Sequence, residues 1–550
     1  MKKARQMTVL AATLACTSIA GFAAGADQPL VPPQTLYQAL SGDWAIYAGD
    51  YTNQRFSHLG QVNRDNVRDL TLAWVAHVDS STRGAITGGE GTGDFPVSGA
   101  SMKGAVLEVN GILFATSPDH AWAIDGRDGR ELWHFYWKTR GGTHLTSRGS
   151  AIWNDTFLFL TPDNFMVALD ARTGKELWHV EIADFNQQYF TTSAPIVIGD
   201  QVLVGTGNDS DAPGFLQSYD PRTGKRNWIF YTVPMKKGDA GLSTWPSVDA
   251  ASHGGGHAWI PGAYDPDTDL YIFGTGNPSP AYTGVARPGD NLFTCSLIAV
   301  KVSTGKMAWY YQTSPHDTHD WDSAQPPIIY DAMIDGKARK LVSTAARNGY
   351  FFTLDRVTGE HLVTTSFGQT TNWARGLRKD GAPERDPAKD AQIAGALVSP
   401  TEEGVVNFQA PAFNPDLGLF YVNESNSFNM LYLTDPDPRG SMGLGGKRRA
   451  VLGYTSTGIQ AIDAKSGKTV WRHMWPQPRN LGGGLLNTRT GVLFAGDGND
   501  NFVALDSATG EPLWHTRIGN ISNAPETYEI DGRQYVLVGV GDTLYSFVLY

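Results

Sequence analysis

The chain has 550 residues and a formal net charge of −11, with abundant glycine (62), tryptophan (16) and tyrosine (21). An acidic chain without a basic cluster is unsuited to nucleic acid, and two cysteines are too few for a disulfide scaffold. No stretch has the 3.6-residue periodicity of a long amphipathic helix, so the composition points to one large all-β domain.

Residues 1–26 read as an export leader. Lys2, Lys3 and Arg5 form its positive end, an apolar run follows from Met7, and Ala24-Gly25-Ala26 supplies small residues for cleavage before Asp27. The apolar run is short for a membrane span. Cleavage would remove Cys16 and leave Cys295 as a lone thiol in a single domain over 27–550.

From residue 70 onward one pattern recurs. Its clearest copy is ALDARTGKELW (168–178): a short alternating strand, a turn opened by Asp170 and closed by Thr173-Gly174, and a second strand carrying Trp178. The Asp can accept turn amides, and Gly174 supplies the left-handed residue of a hairpin bulge. Related copies stand at 123–133, 218–228, 299–309, 461–471 and 504–514; 353–363 ends in Val363 instead of Trp, and LTLAW (70–74) resembles the tail of another. Eight units, commonly about 45–50 residues apart, predict an eight-bladed β-propeller of four-stranded blades. The wider gaps at 228–309 and 363–471 hold loop insertions, and the alternating strands of 521–550 complete the ring with the N-terminal segment.

The opening stretch, GDWAIYAGDYTNQRFSHLGQVNRDNVRDLTLAW (42–74), resembles the pyrroloquinoline quinone (PQQ)-dependent alcohol dehydrogenases of the methanol and ethanol type. The likeness lies in the order of Trp44, Gly49-Asp50, Asn53, Arg55-Phe56-Ser57, Asn63, Asn66-Val67 and Ala73-Trp74, and it runs almost to the C-terminus. That family folds as an eight-bladed propeller, in agreement with the repeat count.

Three turns follow apolar strands: GTGND at 205–209, GTGN at 274–277 and a looser AGDGND at 495–500. They are either a repeated end-of-strand turn or oxygens gathered at one end of the ring round a hard cation. The resemblance implies Ca²⁺ held by Asp209 and Asn277, with Asp209 one methylene shorter than the family's Glu. SPHDTHDWDSAQP (314–326) reads by itself as a polar loop or a His/Asp metal cluster. The resemblance instead makes Asp322 both the catalytic base and a metal neighbour, and Ala324, where lanthanide-using relatives have Asp, favours calcium.

For the cofactor, the resemblance implies that Trp259 lies flat under the quinone and that Arg347 faces its oxygens. Asn407 hydrogen-bonds to the ring, Arg148 and Thr161 hold carboxylates, and the backbone of Thr206, Gly207 and Asn208 lines the site. Lys103 and His257 also fall at cofactor contacts, as departures from a Glu and a Thr. Leu481 replaces a pocket-wall Trp, and Gly142-Thr143 stand roughly where many relatives carry a disulfide of adjacent cysteines. A roomier pocket for larger or secondary alcohols follows from these changes. The implied reaction is Asp322-assisted hydride transfer from an alcohol to Ca²⁺-bound PQQ. No CxxCH haem-attachment sequence is present, so electrons pass to a separate acceptor such as a cytochrome c. Two alternatives stay open: a non-catalytic propeller scaffold, and a degenerate PQQ-binding protein.

Overall fold

A computed structural model describes residues 28–38, 42–79, 101–434, 446–477 and 481–550, with the backbone alone at 86–87, 95–96 and 446–454. The expected leader (1–26) and residues 435–445 of the wide 363–471 gap lie outside the described residues.

The recurrent hairpin forms as its chemistry dictates. Strands Phe165–Asp170 and Glu176–Glu181 pair antiparallel, with a bulge between Ala168 and Leu169. Asp170 Oδ1 accepts the backbone N–H groups of Arg172 and Thr173 at 3.1 and 2.8 Å. Gly174, at φ +70°, donates its N–H to the Asp170 carbonyl. This geometry excludes most side chains.

Packing between repeats uses the same glycine. A Cβ on Gly174 would lie 2.7 Å from the ring of Trp133, the tryptophan of the preceding repeat. The Trp133 indole N–H donates to the carbonyl of Ala171 at 2.9 Å. The same contact joins Trp74 to Gly129, Trp178 to Gly224, Trp228 to Gly305, Trp309 to Gly359 and Trp471 to Gly510. Each indole thus seals one sheet against the turn of the next.

Among the described residues the strands form sheets of four or five, six of them runs of neighbours in sequence and two joining an N-terminal strand to C-terminal ones, beside two two-stranded ribbons. This is an all-β propeller. Its ring closes through strand Thr71–His77, which pairs antiparallel with Thr543–Val548 and covers that edge. Arg55, fully buried, fixes the opening segment to the far end of the chain by donating to the carbonyls of Tyr47, Leu485 and Pro525. The wide gaps do contain insertions: a short helix Val248–Ser252, and a ribbon of Ala374–Leu377 with Pro383–Arg385. Within the 363–471 gap, residues 446–450 begin strand Gly446–Asp463, paired along Leu419–Leu433.

Antiparallel order decides where the site lies. The end of a sheet's second strand and the start of its first share one end of the ring. Gly207, Asn208 and Asp209 follow strand Gln201–Gly205, Asn277 follows Leu270–Gly274, and Arg347 follows Lys337–Ala345. Arg148, Asp322 and Asn407 precede strands Ser150–Trp153, Ile328–Ile334 and Ala412–Asn414.

Candidate active site

These strand ends enclose a cavity of about 280 Å³. Ten expected residues line it: Arg148, Gly207, Asn208, Asp209, His257, Trp259, Asn277, Asp322, Arg347 and Asn407. Gly207 is needed for space, since a Cβ there would lie 2.0 Å from the ring of Phe190, another lining residue.

Asp322 is the most tightly held group. Its Oδ1 accepts the backbone N–H of Asn277 at 2.6 Å, and its Oδ2 accepts the Trp259 indole N–H at 2.8 Å. Arg347 Nη2 stands 3.5 Å from the same Oδ2. Gly276 leaves room for this carboxylate, because a Cβ there would come 3.0 Å from Oδ1. Burial works against the charge of Arg347, yet Asp322, Asp320 and Glu403 hold its guanidinium above the ordinary value. Arg347 also donates to Asn407 Oδ1 at 3.2 Å.

Cations dominate the other side. The Arg148 guanidinium lies 4.5 Å from the Trp259 ring centre and 5.3 Å from that of Phe408. Arg148 is buried, has no carboxylate partner among the described residues, and leaves Nε without an acceptor. Burial lowers its pKa to about 10, with Arg347 adding to the effect.

The oxygen donors share one cavity, though they are not gathered. Among the described residues no three His, Cys, Asp or Glu side chains stand at metal-ligand spacing. Asp209 Oδ2 is in contact with His144 Nε2, and the His144 ring packs on Phe190 with centroids 4.3 Å apart.

The family model for the glucose/ethanol/alcohol dehydrogenase β-propeller domain matches residues 44–367, more than half of the chain. The chain belongs to the PQQ-dependent alcohol dehydrogenase family. It is 32% identical to the quinohemoprotein alcohol dehydrogenase ADH IIB of Pseudomonas putida, over 98% of this chain and 79% of that protein. It is 31% identical to the quinoprotein alcohol dehydrogenase PedH of Pseudomonas putida, over 98% and 92%. The crystal structure of the Comamonas testosteroni quinohemoprotein alcohol dehydrogenase matches with a TM-score of 0.85 at 30% identity, covering 94% of this chain and 82% of that one. A second family model, outer membrane protein assembly factor BamB, matches only residues 455–547. The chain is therefore an oxidoreductase of a family that acts on alcohols.

The cavity of this quinoprotein fits the family's cofactor. PQQ is a flat polycarboxylate, and the cavity offers an aromatic plate at Trp259 and, at Arg148, a buried cation without an anion among the described residues. Further buried atoms lack hydrogen-bond partners: Thr146 Oγ1, Thr192 Oγ1 and both ring nitrogens of His257, all on lining residues. Burial lowers the His257 pKa to about 4, so its imidazole is neutral. For the metal, an all-oxygen set of Asp209, Asn277 and Asp322 suits a hard cation, with Asp209 engaged by His144.

Other expected residues lie off the cavity wall. Thr161 is buried, and its hydroxyl closes its own turn by donating to Asp163 Oδ1 at 2.7 Å. Thr206 is buried with its hydroxyl unpartnered and does not line the cavity. Lys103 is exposed and stands 5.4 Å from the Phe408 ring, beside a smaller neighbouring cavity. Leu481 is absent from the wall, which removes its support for a roomier pocket. The third turn, at 495–500, does not line the cavity, and its Asp497 Oδ1 accepts the N–H groups of Asn499 and Asn501.

The 314–326 loop separates instead of clustering. Asp320 and Asp322 line the cavity, whereas His316 faces a different cavity of about 740 Å³. Asp317 is buried and accepts the N–H groups of His319 and Trp321, and His319 stacks on Trp321. Burial holds the Asp320 carboxyl well above its usual range, against the pull of Arg347. The sequence reading missed His144, Phe190, Glu403 and Phe408 as lining residues. Glu403 and Phe408 flank Asn407 and could have been suspected from that alone. His144 and Phe190 carry no local signal.

Proposed function

We propose that this quinoprotein oxidises an alcohol to an aldehyde or ketone in the bacterial periplasm, using PQQ and Ca²⁺ and delivering electrons to a separate acceptor such as a cytochrome c. One sheet per blade would make an eight-bladed ring over 27–550, a count supported by the eight four- or five-stranded sheets among the described residues. Export rests on the leader over 1–26. No helix among the described residues is long and apolar enough to cross a membrane.

The observation that carries the reading is Asp322, buried and held by Trp259, Asn277 and Arg347 in one cavity. Trp259, Arg148, Arg347, Asn407 and His257 would hold the quinone, and Asp209, Asn277 and Asp322 the cation. When bound, PQQ supplies a two-electron acceptor and Ca²⁺ a Lewis acid. The chain supplies position and a base. Trp259 and Arg347 both face Asp322 Oδ2, so their donors fix the carboxylate plane. Oδ1, with one N–H against it, keeps a lone pair for the proton of a substrate hydroxyl. Arg347 Nη2, 3.5 Å from Oδ2, sets a cation beside the base.

The test is dye-linked oxidation by the purified chain supplied with PQQ and Ca²⁺, across primary, secondary and sugar-derived alcohols. Asp322→Asn should keep PQQ uptake and lose dye reduction; turnover retained in that variant would remove Asp322 as the base. Tight PQQ binding without turnover of any alcohol would leave a degenerate binder, and no binding at all would leave a scaffold.

A further inference from the structure

We infer that His144 is a positioning residue that competes with the cation for Asp209, so that loading the metal requires the imidazole to release the carboxylate. The inference rests on the cation reading above and concerns a residue that the reading does not use.

His144 Nε2 contacts Asp209 Oδ2 directly, and both residues line the cavity. The imidazole ring lies against Phe190, centroids 4.3 Å apart and tilted by 52°. Phe190 is itself fixed: its N–H and C=O exchange hydrogen bonds with Gly207 at 2.9 Å, two residues before Asp209. The carboxylate and its competitor are therefore held by the same short piece of backbone. Asp209 is also one methylene shorter than a Glu, so its carboxylate reaches less far from the backbone. A carboxylate oxygen that accepts from an imidazole offers less electron density to a cation, and a cation repels the donor N–H. Only one of the two can occupy that oxygen at full strength. The remaining donors, Asn277 and Asp322, have no imidazole against them: Asp322 accepts from the Asn277 and Trp259 N–H groups and stands 3.5 Å from Arg347 Nη2.

Both members of the pair are partly exposed, at 46% and 36%, so the competition is modest. Removing the imidazole should tighten Ca²⁺ binding about three- to tenfold, the range between an exposed ion pair and a charge-assisted hydrogen bond.

The experiment is calorimetric titration of Ca²⁺ into the purified full chain, without and with PQQ, for the wild type, His144→Ala and His144→Phe. His144→Phe keeps an aromatic ring against Phe190 while removing the donor, so a loss of packing in His144→Ala is separated from the loss of the contact. Both variants should bind Ca²⁺ more tightly than the wild type, and in an Asp209→Asn background His144→Phe should change nothing. Unchanged or weaker Ca²⁺ binding in both variants, beside a wild type that binds, would overturn the role of His144 and leave the cation site standing. Absence of Ca²⁺ binding in all three proteins, with PQQ present, would overturn the cation reading itself.

Discussion

The guanidinium of Arg148 lies 4.5 Å from the centre of the Trp259 indole, a buried cation on a flat aromatic face with no carboxylate among the described residues to balance it. Cation–π attraction offsets part of its desolvation, but its pKa is still lowered to about 10 by burial. A group arranged in this way costs stability in the free protein and recovers it on binding an anion.

Replacing Arg148 should therefore separate stability from affinity. Arg148→Leu is expected to keep or raise the Tm of the PQQ-free protein, because it removes a desolvated charge. The same change should weaken PQQ binding by about tenfold or more, the scale of one charge-assisted contact. Quenching of tryptophan fluorescence by added PQQ measures the second quantity, and a thermal scan the first. A large fall in PQQ-free Tm would show that Arg148 is instead a structural pillar.

Gly276 guards the base by its lack of a side chain. A Cβ at 276 would stand 3.0 Å from Asp322 Oδ1, closer than nearly all such contacts. Gly276→Ala should lower kcat of the reconstituted enzyme by about tenfold or more, as misplacement of a reacting group does. Its PQQ affinity should change far less. Equal losses in both would place the glycine's role in cofactor binding.

Glu526 gives the fold a pH dependence away from the cavity. Its carboxyl is buried, accepts the Val106 N–H at 3.1 Å on both oxygens, and is pushed up to about 8 by burial, against the pull of Arg55. In the folded chain it stays protonated where the unfolded chain has released its proton. Stability from this group is thus present below its ordinary value near 4.5 and is lost as pH rises towards 8. Glu526→Gln should flatten the fall in Tm between pH 5 and 8 relative to the wild type. Parallel curves for the two proteins would refute the assignment.

The glycine under each indole can be tested against one that only turns the chain. Gly174 and Gly532 both have positive φ, +70° and +74°, but nothing lies within 4 Å of a Cβ at 532. Gly532→Ala should cost about 1 kcal/mol from backbone strain alone. Gly174→Ala should cost about 1–3 kcal/mol more, by overpacking against Trp133. Urea unfolding measures both, and equal costs would deny the indole contact any weight.

What the sequence determined by itself was everything that local chemistry and repetition can encode. An Asp, a Thr-Gly and a Trp at fixed offsets specify the Asp170–Gly174 turn and the indole of Trp178, because turn amides and positive φ involve near neighbours only. Repetition of that unit made the propeller legible. The order of strand ends brought Trp259, Asn277, Asp322 and Arg347 to one place, since alternate strands of each sheet must reverse. Tertiary structure alone decided how side chains were shared among distant segments. Thr161 is taken by Asp163, Lys103 is set across Phe408, and Asp209 is taken by His144, a residue 65 positions earlier. Such competition depends on distances between parts of the ring that no spacing along the chain records.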